Sequence, residues 1–206
     1  MNKLVKVLSL TGVAGVGFYF LQVFFGTILY PDYNSFAQAI SDLTALNSPS
    51  RYIAMPLSVV YGIFTVIFSI YFFIYSRKYF SVVVTLGAGF FCAVQVISFF
   101  GYMLFPLTED GYAGTFQDRM HMAVTALVVF FTIVSLILFM IGFLKTRGLK
   151  YLSIVTLFTF LILLVGAILI NILPNEYFGI AQRINVFSIV IYTGVLSFWM
   201  YRYKNP

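Results

Sequence analysis

HMAVTALVVFFTIVSLILFMIGFL, residues 121–144, decides the fold. It contains no Asp, Glu, Lys or Arg. As a helix it would extend roughly 36 Å, enough to cross the ~30 Å hydrocarbon core of a bilayer. Its polar side chains are His121 at the head, then Thr125, Thr132 and Ser135. Such hydroxyls can return to carbonyls of their own helix. A core helix of a soluble domain would carry a polar stripe instead, and this stretch has none.

Five further runs of the same kind flank it, near 7–29, 54–76, 80–105, 151–173 and 184–201. Over all 206 residues, 62% are hydrophobic, only 9% are charged, and mean hydropathy is +1.01, far from a soluble domain. Short alternating strands are absent, so a closed β-barrel does not satisfy the pattern, and helices satisfy the backbone in lipid. The expected fold is all-α: one polytopic membrane domain over residues 1–206, a bundle of six transmembrane helices. Lys3 and Lys6 precede the first run as in a signal peptide. The run is overlong and has no clear small-x-small cleavage site, so it reads as a retained helix.

Charge sets the orientation. Lys3, Lys6, Arg77, Lys78, Lys145, Arg147, Lys150, Arg202 and Lys204 occupy the ends and the connections on one side. The other connections hold Arg51, Arg119 and Arg183 with every acid of the chain: Asp32, Asp42, Glu109, Asp110, Asp118 and Glu176. The positive-inside rule makes the basic side, with both termini, cytoplasmic. The expected location is a cell membrane, multi-pass and prokaryotic. The basic residues are scattered beside helix ends, which suits anionic headgroups and not nucleic acid. Lone Cys92 lies inside a span, which excludes an intrachain disulfide. With one histidine there is no zinc-like ligand spacing, so neither metal nor cofactor is expected.

The outgoing spans end alike, with Pro31-Asp32, Pro106 to Glu109 and Pro174 to Glu176. Three similar hairpins would do this, as would proline acting simply as a helix stop. The first outer connection, Tyr30 to Tyr52, is the longest, and Phe36, Ala39, Ile40 and Leu43 recur in it at helical spacing. That predicts a short amphipathic helix at the interface or over the bundle mouth. Asn47-Ser48 before Pro49 reads as a cap and first-turn proline opening the second span.

Ile40-Ser41-Asp42-Leu43 in that connection, Phe105-Pro106 ahead of His121, and Gly179 with Gln182-Arg183-Ile184 before the last span together resemble the domain-of-unknown-function 998 family of small prokaryotic membrane proteins. The resemblance follows order and spacing over nearly the whole chain, and it implies the six-helix fold more than an activity. A looser similarity, through the Ile-Ser-Asp motif, is to the Frag1/DRAM/Sfk1 membrane proteins, which have been linked to lipid organisation. This chain departs from the common pattern at Thr44, where glycine often follows Ser-Asp-Leu, and at Met122, where an acid often follows the histidine.

Depth adds a second asymmetry. Gln22, Gln95 and Asn171 fall toward the outer ends of their spans, and His121, Arg183 and Asn185 open the fourth and sixth. Polar groups at membrane depth usually face a bundle interior or a wet cavity. With Ser41, Asp42 and Asp118 they form a candidate outward-facing pocket, the alternative being helix-to-helix hydrogen bonding. Asp118 and His121, three apart, share a face if the fourth helix begins early, which would let His121 act as a base with Asp42 or Asp118 orienting it. Arg183 can bind a carboxylate or phosphate bidentately, or form a salt bridge to Asp42 or Glu176. The expected role is binding or sensing a lipid or small amphiphile among membrane lipids. Alternatives are a lipid hydrolase or transferase using His121, and a small transporter.

Overall fold

The computed structural model describes residues 3–109 and 111–203. Asp110 and Lys204, both counted in the charge partition, lie outside the described residues, as does the side chain of Lys3. Six long helices follow one another: α1 (Lys3–Ile28), α2 (Arg51–Tyr79), α3 (Val82–Leu104), α4 (Phe116–Lys145), α5 (Lys150–Ile172) and α6 (Phe178–Arg202). Each is long and apolar enough to cross a membrane, and no strand occurs among the described residues.

Each helix packs on the next, and α6 packs back on α1, so the six close into an antiparallel ring. Small residues set the close approaches. A Cβ at Gly12 would lie 2.7 Å from Ser197 of α6, one at Gly101 2.6 Å from Val124 of α4, and one at Gly62 2.1 Å from the Phe99 ring of α3. Hydroxyls add bonds between helices: Ser135 donates to the Gly87 carbonyl (2.9 Å) and Ser153 to that of Met140 (2.7 Å).

A ring of six leaves a wide centre, and its two halves are filled differently. Toward the end where α1 begins and α6 finishes, aromatic rings fill it. Phe139 meets Phe72 (5.7 Å between centroids), Phe143 (5.2 Å), Phe91 (6.2 Å) and Tyr192 (6.5 Å). Toward the opposite end, where all the described acids lie, the first connection dips in. Its Ile40 and Leu43 are buried against Tyr19, Ala54 and Val190 of α1, α2 and α6. That connection therefore plugs the mouth of the ring.

The plug departs from the expected amphipathic helix. Only Ile40–Thr44 is helical, as a 3-10 helix, while Ser35 to Gln38 turn and Phe36 is 57% exposed. The α-helical spacing failed because the segment inserts end-on as one tight turn. Four helices also begin three or more residues before their apolar runs, α1 at Lys3, α2 at Arg51, α4 at Phe116 and α6 at Phe178. Hydropathy marks where hydrocarbon begins, and a helix can extend beyond it, as α4 does behind the Thr115–Asp118 capping box. Nor does Ser48 cap α2: α2 starts after Ser50, and both hydroxyls point back to the Leu43 carbonyl (3.2 and 3.0 Å).

The packing at Gly62 is testable against Gly17, where an added Cβ would meet nothing within 4 Å. Gly62→Val is expected to destabilise the bundle by about 1–3 kcal/mol through overpacking against Phe99. Gly17→Val is expected to stay within about 0.5 kcal/mol. Unfolding of each variant in mixed micelles, followed by circular dichroism, checks the pair.

Candidate functional site

The first two turns of α6 hold the plug from one side. Gly179 lies so close to it that a Cβ would sit 2.5 Å from the Gln38 carbonyl oxygen and 2.7 Å from that of Ser35. One residue on, the Ile180 N–H donates to the Phe36 carbonyl (3.1 Å), and the Gln182 Oε1 accepts from the Ile40 N–H (2.8 Å). Arg183 completes the grip. Its Nη1 donates to the carbonyls of Ser35 (2.6 Å), Gln38 (2.9 Å) and Gly179 (3.0 Å), and its Nη2 to the Tyr33 hydroxyl (2.7 Å). The Tyr33 hydroxyl in turn donates to the Ala39 carbonyl (2.6 Å). Burial pushes the Tyr33 phenol above its ordinary range, with the guanidinium opposing, so it stays neutral and can both donate and accept.

None of these acceptors is a carboxylate, so the expected salt bridge from Arg183 to Asp42 or Glu176 is not what holds the loop. Loop carbonyls reach the guanidinium first because Gly179 lets the loop backbone lie against α6. A guanidinium has five N–H donors. Nη1 shares its two among three carbonyls and Nη2 uses one on Tyr33, which leaves the Nε–H and one Nη2 hydrogen unengaged among the described residues.

Asp42 sits at the bottom of the plug, 2% exposed. Its Oδ2 accepts from the Ala39 N–H (2.8 Å), which closes the 3-10 turn, and its Oδ1 from the Gly111 N–H (3.1 Å) in the second acidic connection. The Leu46 N–H donates to the Leu107 carbonyl (2.8 Å) beside it, so two connections are joined by backbone and carboxylate together. Ser41 is only half-buried, and its carbonyl accepts from the Thr44 hydroxyl (3.1 Å).

The head of α4 secures that second connection. Thr115 and Asp118 form a capping box: the Thr115 hydroxyl accepts from the Asp118 N–H (3.2 Å), and Asp118 Oδ2 from the Thr115 N–H (3.1 Å). Asp118 also accepts from the Thr108 N–H (2.9 Å) and from its hydroxyl (3.0 Å). Here α4 does begin early, and Asp118 directs both oxygens to Thr108 and Thr115, not to the imidazole one turn on. His121 points to the last carbonyls of α3. Its Nδ1 lies 2.8 Å from the Phe105 carbonyl, which can only accept, so Nδ1 carries the hydrogen. Gln117 Nε2 donates to the neighbouring Leu104 carbonyl (2.9 Å). The imidazole lies against the Tyr102 ring, 4.8 Å between centroids.

Residues 13–199 match a family described as Protein of unknown function (DUF998). The chain belongs to the DUF998 family. No curated protein and no solved structure matches it. In this DUF998 chain, Ser41-Asp42, His121 and Gln182-Arg183 converge on the backbone of the loops at one mouth of the ring.

The remaining candidates scatter. Gln22 is buried on α1, and its Oε1 has no hydrogen-bond partner; the same holds for Asn185 Oδ1, which lies against Gly166 of α5. Gln95 is buried well below the mouth, roughly 14 Å along α3 from its outer end. Asn171 does not join any interior layer. It is exposed and bonds the Ala167 carbonyl of its own helix (2.8 Å), because its face of α5 turns away from the ring. Among the described residues no group of three His, Cys, Asp or Glu side chains could hold a metal ion.

Sequence reasoning missed Tyr33, Thr108, Thr115, Gln117 and Ser50, and gave Ser48 the role of a helix cap. One signal was available, the Thr-x-x-Asp spacing of Thr115 and Asp118, which marks a helix start. Outside the ring, a groove of about 390 Å³ runs between α5 and α6, with Ile162, Ile180, Ile184, Phe187 and Ile191 as apolar walls. Arg183 stands at its outer end.

Asp118→Ala strips the amides of Thr108 and Thr115 of their shared acceptor. A loss of about 1–3 kcal/mol is expected from leaving these donors unpaired. Hydrogen exchange should show protection falling at Thr108 and Thr115 while the α1–α2 hairpin keeps its own.

Proposed function

We propose that this membrane protein binds an anionic lipid or small anionic amphiphile at the mouth that carries the acidic loops. The phosphate or carboxylate rests on Arg183 and the chain lies in the α5–α6 groove. One observation supports the reading: a half-buried guanidinium with two N–H donors unengaged and no carboxylate partner among the described residues lines an apolar groove of about 390 Å³. That volume lies within the range of small-molecule sites. A guanidinium matches the planar fork of a phosphate or carboxylate.

The positive-inside rule puts this mouth outside the cytoplasm of a prokaryotic cell membrane, with both termini inside. Binding is favoured over hydrolysis because no carboxylate among the described residues orients the His121 imidazole. Asp118 serves Thr108 and Thr115, and His121 serves Phe105.

Two substitutions test the site. Arg183→Lys keeps the charge and loses the fork, and Ser188→Phe fills the groove and leaves the charge alone. In native mass spectrometry of protein purified from equimolar phosphatidylglycerol and phosphatidylcholine, wild type should retain phosphatidylglycerol preferentially. Arg183→Lys should lower that retention about tenfold, the worth of one charge-assisted hydrogen-bond pair. Ser188→Phe should lower it comparably, with hydrogen exchange at Ala39 and Ile40 unchanged. Retention in the proportions of the mixture by wild type would defeat the reading.

A further inference from the structure

A second groove opens on the same side of the ring, toward the opposite membrane surface. It has a volume of about 530 Å³ and lies between α1, α5 and α6. Val13 and Val16 form one wall, Val155 the other, and Phe198 and Trp199 flank the floor. Gly194 keeps that floor low: an added Cβ would meet nothing nearer than Val16 at 3.4 Å. The groove shares Ile191 with the one below Arg183, and its own end is marked by Arg202 in the last turn of α6 and by Tyr151 of α5, which is 50% exposed.

From Arg183 to Arg202 is nineteen residues, roughly 28 Å of helix, so the two grooves together reach about from one membrane surface to the other. We propose that the groove at Arg202 holds an acyl chain of an anionic phospholipid from the surrounding leaflet, with the phosphate at the Arg202 guanidinium. The proposal does not depend on the Arg183 site.

Three observations select this occupant. The walls are apolar, so a soluble anion would leave the trough unfilled. Arg202 is exposed at the trough's mouth, where a phosphate can reach it. Finally, every acid among the described residues belongs to the opposite end, whereas Arg77, Lys78, Lys145, Arg147 and Lys150 share the Arg202 end. No side-chain carboxylate among the described residues supplies the counter-charge, and lipid phosphates at that surface can. A second copy docking through the same face would bring more positive charge to it.

The chain's only tryptophan, Trp199, lines this groove, so its fluorescence reports on this site and not on Arg183. Full-length protein is reconstituted in bilayers in which either phosphatidylglycerol or phosphatidylcholine carries brominated chains, at equal mole fraction. Brominated phosphatidylglycerol should quench Trp199 more strongly. In Arg202→Gln that preference should fall about fivefold, the worth of one basic residue at an anionic surface. In Gly194→Leu quenching by either lipid should drop as the added side chain fills the trough. Arg202 lies at an exposed helix end, so Arg202→Gln tests the idea even if Gly194→Leu misfolds.

Equal quenching by the two lipids in wild type, or a preference untouched by Arg202→Gln, overturns the proposal. So does an absence of quenching by either lipid together with a disulfide between copies of Phe198→Cys, which would make a second copy the occupant.

Discussion

Backbone amides and carbonyls at the edge of hydrocarbon cannot count on water, and everything at the acidic end of this protein follows from that. Each helix leaves its last carbonyls and first amides without internal partners, and each loop adds more. Here side chains supply what solvent would supply in a soluble protein. His121 and Gln117 take the carbonyls that end α3. Asp118 takes two amides of the connection ahead of α4, Asp42 takes one amide from each of two connections, and Arg183 collects three carbonyls. The concentration of polar residues at this mouth is thus explained first by backbone satisfaction.

Satisfying the backbone also lets the first connection enter the ring. A 3-10 helix inserted among six transmembrane helices would be costly with open amides. With its amides and carbonyls bonded to Asp42, Gln182, Ser48 and Ser50, the turn can bury Leu43 completely and bring it against Gly26 of α1. At the other end the same central space is filled by rings around Phe139, which need no such partners. One half of the ring is thus closed by side-chain packing and the other by a hydrogen-bonded loop.

This division explains what could be read from the sequence. Span number and the one-sided distribution of acids were legible because hydrophobic length and charge act residue by residue. Helix starts were legible within two residues at α3 and α5, where the apolar run itself opens the helix, whereas the start of α4 is marked by the spacing of Thr115 and Asp118. The partners of Asp42 and Arg183 were not legible, because they are backbone atoms of distant loops, and a carbonyl leaves no mark in residue identity. For Arg183 the sequence suggests a bound carboxylate or phosphate, or a salt bridge to Asp42 or Glu176, because charged acceptors are the ones that residue identity displays. The amides Gln22, Gln95, Asn171 and Asn185 seemed one layer for a related reason: depth along a helix can be counted, but the face of the helix depends on the packing of its neighbours.

The cage around Arg183 has one consequence that an ion pair would not. Three carbonyls and a phenol orient a guanidinium and stabilise its charge through their dipoles, yet they leave its net charge of one uncancelled. Exposed acids stand in the same set of loops at Asp32, Glu109 and Glu176, but the cage fixes the guanidinium from the loop side. Among the described residues its Nε–H and one Nη2 hydrogen stay unengaged. A lysine would carry the same charge, but its three donors on a single nitrogen lack the planar fork that reaches several loop carbonyls and the Tyr33 hydroxyl together. The loop architecture therefore uses a guanidinium at this position, because one planar group reaches three carbonyls and a phenol at once.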